Sequence, residues 1–331
     1  MSLLNRFKEI RSRSGLTFFD THIHTHEVLG VMGKAGSFSR NYSASLLERL
    51  NFNNFSLTIL GLLFRITPFY IRSEIRKKFP SSEDSLVRAL TDASIDKATL
   101  VPINPNVSPR SLYEDFSSED FVRLGSPDFS LSLESLNQDL EIQLTQYSIV
   151  GIKLHPNIQS FFPHPGKNAD VLREKLDLIY RFAEKHKLYL LIHGGISYVP
   201  AGGGFELREY GTISNFFDGG IFFLGKLSVP VVIAHLGIYN ESNPRWDLIE
   251  KIMTYPNIYF DTAGVNPKYI ERFLKKGGVS KLLFGSDAMY FNIRHSVESV
   301  LNVLYRYSKV DFEKNVISVF SKTYTDYICK K

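Results

Sequence analysis

His22 and His24 are separated by a single residue. In an extended strand alternate side chains point to the same side, so the two imidazoles project together. Alone, such a pair says little, and position is what gives it weight. His193 closes the apolar run Leu-Tyr-Leu-Leu-Ile-His-Gly, His235 closes Val-Val-Ile-Ala-His-Leu-Gly, and Asp287 closes Leu-Leu-Phe-Gly-Ser-Asp. Five metal-competent side chains therefore end four strand candidates. Imidazole nitrogens and a carboxylate suit a divalent transition ion, and a centre that keeps one position for water makes hydroxide near neutral pH. Burying five such groups without a shared function would be costly.

Other groups cluster at the same ends. Lys153 and His155 share one face of the run 149–156, which contains no carboxylate. An unmodified ammonium is no ligand, which leaves Lys153 the ambiguous residue of this run. His155 either reaches substrate or caps the loop that begins at Pro156. Asp20, deeper on the face of His22, is expected to orient a ligand or a basic side chain. His26 continues the alternation but falls past the strand end. Arg294, shortly after Asp287, could grip a substrate carboxylate bidentately, the competing expectation being a solvent-facing position at the start of the last helix.

Three other signals are weak. Gly202-Gly203-Gly204 lacks the Lys and Ser/Thr of a phosphate loop and reads as a flexible loop near the site. The basic stretch 72–78 is a solvated helix face. No Gly-x-Ser-x-Gly elbow occurs, and Cys329 has no histidine nearby, which leaves covalent nucleophilic catalysis without a candidate.

Positioning these residues requires several strands. Apolar runs at 16–24, 98–105, 121–127, 149–156, 188–194, 229–237, 257–264 and 281–287 make eight strand candidates. Helical periodicity appears at 85–95, 131–147, 169–187, 212–227, 244–255 and 267–276, weakly at 110–116, and again at 297–307 and 311–328. Eight strands alternating with helices, several too apolar to face water on either side, predict an α/β fold, a closed (β/α)8 TIM barrel. Strand C-terminal ends ring one mouth of such a barrel, where its sites are built. The whole chain, 1–331, reads as one barrel domain interrupted once, at 27–82, by an insertion expected to act as a lid or an interface. Its apolar parts, 57–64 and 69–79, are expected to be short helices.

Composition removes several classes. With 44% apolar and 22% charged residues among 331, the chain buries a large core and is not disordered. A net charge of +5 is too small and too scattered to argue for nucleic acid, although it suits an anionic small-molecule substrate. The single cysteine predicts a reducing, cytoplasmic setting. The most apolar stretch, 57–64, is ended by Arg65, far short of the roughly 20 residues that span a bilayer, so no membrane role is expected.

From residue 18 to about 293 the sequence resembles the amidohydrolase superfamily, in the branch of metal-dependent hydrolases and nonoxidative decarboxylases. The likeness rests on Asp-Thr-His-Ile-His at 20–24, Gly-Ile-Lys-Leu-His-Pro at 151–156 and the strand ends at His193, His235 and Asp287. It implies one divalent metal held by His22, His24, His193 and Asp287, with zinc the expected ion and manganese or iron the alternatives. It also implies His235 close by, as an acid/base group or as a support for the ligands; in the mechanism expected, Asp287 accepts the proton of the attacking water and His235 orients the nucleophile or protonates the leaving group. In some branches a lysine at the place of Lys153 is carboxylated and bridges a second metal, which is the one route to a dinuclear centre here; in others it contacts substrate or packs in the barrel. The related barrel nucleases carry a glutamate ligand on the fourth strand, absent from this chain. Two departures stand out: the long insertion, and Ser321-Lys322-Thr323 where an asparagine is usual.

The function expected is hydrolysis of a carbonyl-type substrate, an amide, ester or lactone, by metal-activated water. Nonoxidative decarboxylation of an unsaturated or aromatic acid is the first alternative, and a non-catalytic binding barrel the second. A homodimer formed through the insertion competes with the lid.

Overall fold

The computed structural model describes residues 2–26, 28, 82–201, 204–288 and 290–329. The insertion's two expected helices lie outside the described residues. In chain order the strands are β1 Phe19–Ile23, β2 Lys97–Leu100, β3 Phe121–Gly125, β4 Gly151–Leu154, β5 Tyr189–Ile192, β6 Gly195–Ala201, β7 Gly204–Gly211, β8 Phe217–Asp218, β9 Ile221–Phe222, β10 Val231–Ile233, β11 Ile258–Asp261 and β12 Leu282–Leu283. Eight of them form one parallel sheet in the order β1-β2-β3-β4-β5-β10-β11-β12. Its two edges meet: Ile23 bridges Ala288 in parallel register, and the Thr21 N–H donates to the Phe284 carbonyl at 2.9 Å. All eight strands expected from sequence are present, and the sheet is a (β/α)8 barrel.

The helices are α1 Leu3–Ser14, α2 Glu83–Ala93, α3 Pro109–Asp115, α4 Leu133–Gln146, α5 Pro156–Gln159, α6 Asp170–His186, α7 Trp246–Met253, α8 Pro267–Lys275, α9 Ile293–Tyr307 and α10 Phe312–Ile317. Their starts are written locally. Ser82, Ser108, Ser132 and Asn292 each accept a backbone N–H three residues on, which satisfies a donor that the helix leaves free. The buried stripes of α2 (Leu86, Leu90) and α6 (Leu176, Ile179) face the outside of the sheet.

Strand β5 shows how one strand serves two cores. Leu190 and Ile192 join the layer shared with the helices. Tyr189 and Leu191 join an inner cluster with Phe19, Val101, Val232, Tyr259 and Leu283, and Tyr324 and Ile328 of the C-terminal segment complete it. A strand buried on both faces must be apolar throughout, hence the continuous runs in the sequence.

Two local expectations are corrected. The helix predicted over 212–227 is replaced by two 3-10 turns, Ile213–Phe216 and Phe223–Lys226, flanking the small β8–β9 hairpin. Gly219 and Gly220, at φ 53° and 85°, turn the chain where a helix would need both in the right-handed region. The helix expected over 311–328 is α-helical only through Ile317 and continues as wider π turns to Ile328. At the other end the basic stretch after Met1 forms α1, capped by Ser2 and ended at Gly15, with Phe7 against Phe18 and Phe320.

Candidate functional site

At the C-terminal mouth β1 delivers His22 and His24. The His22 Nδ1 lies 2.9 Å from Asp261 Oδ2, and the His24 Nδ1 lies 2.9 Å from the Val101 carbonyl. Both partners accept, so each ring carries its proton on Nδ1 and turns the Nε2 lone pair inward. The two Nε2 atoms stand 3.3 Å apart. Asp287 Oδ1 lies 3.5 Å from the Nε2 of His24 and 4.0 Å from that of His22. Three acceptors thus converge in a buried place, each offering one ligand atom within 4.8 Å of the others. Such a set repels itself unless a cation or a proton lies between. Burial drives the proton affinity of both imidazoles well below the ordinary range, with the Lys153 charge adding to it. The donor set therefore fits a divalent ion.

Asp287 is held in the left-handed region, at φ 58°, with its N–H on the His22 carbonyl at 2.9 Å. Burial raises its carboxyl well above the usual range, and Lys153 opposes the shift. Lys153 itself is 1% exposed, and its Nζ has no hydrogen-bond partner among the described residues. Desolvation pulls the ammonium down to about 8 against the attraction of Asp261 and Asp287.

The structure does not bring His193 into the acceptor group. Its Nε2 is engaged by Ser197 Oγ at 2.9 Å, and its ring stacks on His155 at 4.0 Å between centroids. Ser197 comes from the β6–β7 hairpin, whose two ends are pinned by the Asn157 side chain to Gly195 O and Gly211 N. His235 stands beside these rings, 4.7 Å from His193 and 5.1 Å from His22 between centroids. Its backbone is left-handed, at φ 58°, and Nδ1 donates to Ala263 O at 2.7 Å, which leaves Nε2 as the acceptor. Burial pushes this imidazole down to about 3.

His155 caps α5, its Nδ1 accepting from the Ile158 N–H at 3.2 Å. Asp20 accepts from the backbone N–H groups of His22 and Ser286 at 3.2 and 3.0 Å, so it orients backbone where a side-chain partner was expected. His26 bonds Asp115 on α3 at 3.0 Å. Arg294 is placed outside the cluster. More than half exposed, it donates to Glu298 one helical turn away at 3.1 Å, so a substrate-gripping role for it gains nothing from this geometry.

Sequence reasoning misses Asp261 and Ser197. Asp261 carries a readable signal, because Ile-Tyr-Phe-Asp at 258–261 repeats the pattern of an ionisable residue closing an apolar strand. Ser197 has only the hairpin to announce it.

A family model described as amidohydrolase matches residues 83–305, about two thirds of the chain. The chain belongs to the amidohydrolase family. It is an enzyme fold of that superfamily, and solved structures repeat its architecture. A probable 2-pyrone-4,6-dicarboxylic acid hydrolase from Acinetobacter baumannii, with citric acid bound, superposes with a TM-score of 0.54 at 13% identity, covering 95% of this chain and 99% of that one. A 2,6-dihydroxybenzoate decarboxylase from Rhizobium gives 0.56 at 11%, over 93% and 97%. A 5-carboxyvanillate decarboxylase from Novosphingobium aromaticivorans, complexed with manganese, gives 0.57 at 16%, over 96% and 97%. At these identities the likeness speaks for the amidohydrolase barrel alone. No curated protein matches the chain by sequence. Among the described residues no helix is long and apolar enough to cross a membrane.

Proposed function

We propose that this chain is a metal-dependent hydrolase acting on a carbonyl-type small molecule, an amide, ester or lactone. The observation that carries the reading is the convergence of His22 Nε2, His24 Nε2 and Asp287 Oδ1 with both Nδ1 protons turned outward. His22, His24 and Asp287 would hold the ion, with His193 joining them once Ser197 releases its Nε2. Bound there, a divalent ion polarises a carbonyl and lowers the pKa of water toward neutrality. Asp287, whose proton affinity burial raises, accepts the proton that the attacking water gives up. His235 begins neutral, so its Nε2 takes that same proton from Asp287 and delivers it to the leaving group. Lys153 supplies a buried positive charge at the base of the mouth, which favours an anionic substrate. Zinc is the ion proposed, and manganese, present in the 5-carboxyvanillate decarboxylase structure, is the nearest substitute.

Decarboxylation of an unsaturated or aromatic acid is the second reading. It is favoured by the two decarboxylases of like fold and by Lys153, whose charge suits a carboxylated substrate. Product analysis on a panel of lactones, amides and aromatic or unsaturated acids separates the two. Incorporation of 18O from labelled water supports hydrolysis, and release of carbon dioxide without it supports decarboxylation. Protein that takes up no transition metal on reconstitution would sink both.

A further inference from the structure

One carboxylate touches both kinds of histidine at the mouth. Asp261, at the end of β11, is fully buried, as is the His22 ring that it meets. Oδ2 accepts from His22 Nδ1 at 2.9 Å, while Oδ1 accepts from the backbone N–H groups of His235 at 2.7 Å and Ala263 at 3.1 Å. His235 and Leu236 both have positive φ, 58° and 53°, a conformation that side chains with a Cβ resist unless the surroundings hold it. The bond from the His235 N–H is one such hold, and the ring's bond to Ala263 O is another.

Resting on the proposed metal site, we propose that Asp261 is a positioning residue that couples the two. Through Oδ2 it decides which ring nitrogen His22 turns toward His24 and Asp287. Through Oδ1 it fixes the backbone that presents His235. The contrast with His24 is informative, since its Nδ1 is set by a main-chain carbonyl that no substitution of a side chain removes. Among the described residues Asp261 is the side chain through which the tautomer of the acceptor group is open to mutation.

Asp261→Asn tests this, because the amide oxygen still accepts from His235 and Ala263 while its NH2 group opposes the His22 Nδ1–H. His22 must then carry its proton on Nε2, pointing into the acceptor group. Zinc(II) and manganese(II), each titrated alone, should bind about 10- to 100-fold more weakly, while hydrogen-exchange protection of the His235 amide is retained. Asp261→Ala should weaken binding and lose that protection as well. Asp261→Asn protein that binds both ions like the wild type overturns the proposal. Should either variant fail to fold, 15N NMR of the wild-type imidazoles decides it: a proton on His22 Nδ1 supports the role, and a proton on Nε2 in metal-free protein refutes it. Wild-type protein that binds neither ion sinks the functional reading, and the ring-nitrogen measurement, which needs no metal, still settles Asp261.

Discussion

The two ends of the barrel interior are built from the same strands and obey opposite rules. At the floor, Phe19, Tyr189, Leu191, Val232 and Leu283 meet Tyr324 and Ile328, and Tyr324 Oη shares a hydrogen bond with Thr99 Oγ1 at 3.3 Å. Two residues further along, the inward positions turn ionisable: Leu191 gives way to His193, Tyr259 to Asp261 and Gly151 to Lys153. The floor has few polar atoms, of which Tyr189 Oη is buried without a hydrogen-bond partner among the described residues, and it gains chiefly from area removed from water. The mouth keeps acceptors facing acceptors, an ammonium with no hydrogen-bond partner among the described residues, and left-handed backbone at His235 and Asp287. Stability and chemistry are thus divided along each strand, and a substitution should trouble one without the other.

The largest effect belongs to the mouth. His24→Ala should lower metal affinity at least 100-fold, about 2.7 kcal/mol, and abolish turnover, while the metal-free protein melts near the wild-type temperature. His235→Ala should keep its metal and lose activity by about 100-fold, the scale of a missing acid/base group. Elemental analysis beside steady-state kinetics checks both, and equal loss of metal in the two variants would contradict the division between a ligand and an acid/base histidine.

At the floor, Tyr324→Ala should cost about 3 kcal/mol or more in denaturant unfolding, through the cavity left under the strands. Metal stoichiometry should not change. A loss of metal in this variant would show that the two ends are not separable.

Lys153→Met should raise the melting temperature of the metal-free protein, since it removes a buried ammonium with no acceptor. Its folded-state pKa, about 8, lies below the ordinary 10.5, so the wild type gains stability as pH rises through that interval. The advantage of the variant should therefore be greatest below pH 8 and shrink toward pH 10. An advantage that ignores pH would point to packing as its source.

The smallest effect is expected at Glu241, beyond His235, whose carboxyl burial and Glu209 raise to about 7. Raised from 4.5, this group favours folding below that pH and loses the contribution as pH climbs through 7. Glu241→Gln should match the wild type near pH 4.5 and melt about a degree or two higher above pH 7. Melting curves across pH suffice to test it.

How far the sequence foretells this molecule follows the same division. Apolar runs and their terminal residues reveal the eight strands, and four of those runs reveal the mouth, because a strand buried on both faces has little freedom in composition. His22, His24 and Asp287 are legible for that reason. The segment between β5 and β10 is not, since Gly202-Gly203-Gly204 reads as a loose loop, although the stretches on either side pair as the antiparallel strands β6 and β7. That reading hides Ser197, and with it the reason why His193 stands apart from the acceptor group. Asp261 escapes for a different cause. Its work is done through hydrogen bonds to residues 239 and 26 positions away, a relation that no local pattern expresses.

The seam that joins β1 to β12 has a consequence in time. Thr21 bonds Phe284 across 263 residues and Asp20 bonds Ser286 across 266, and the same seam brings Asp287 to His22 and His24. On a ribosome adding about 5–20 residues per second, the histidine pair emerges roughly 13–50 s before the aspartate that completes the acceptor group. Until then the early histidines are no more than any unstructured pair, free to meet whatever ion passes. A chain cut short before residue 287 would leave the tunnel with two thirds of the acceptor set and no way to close it.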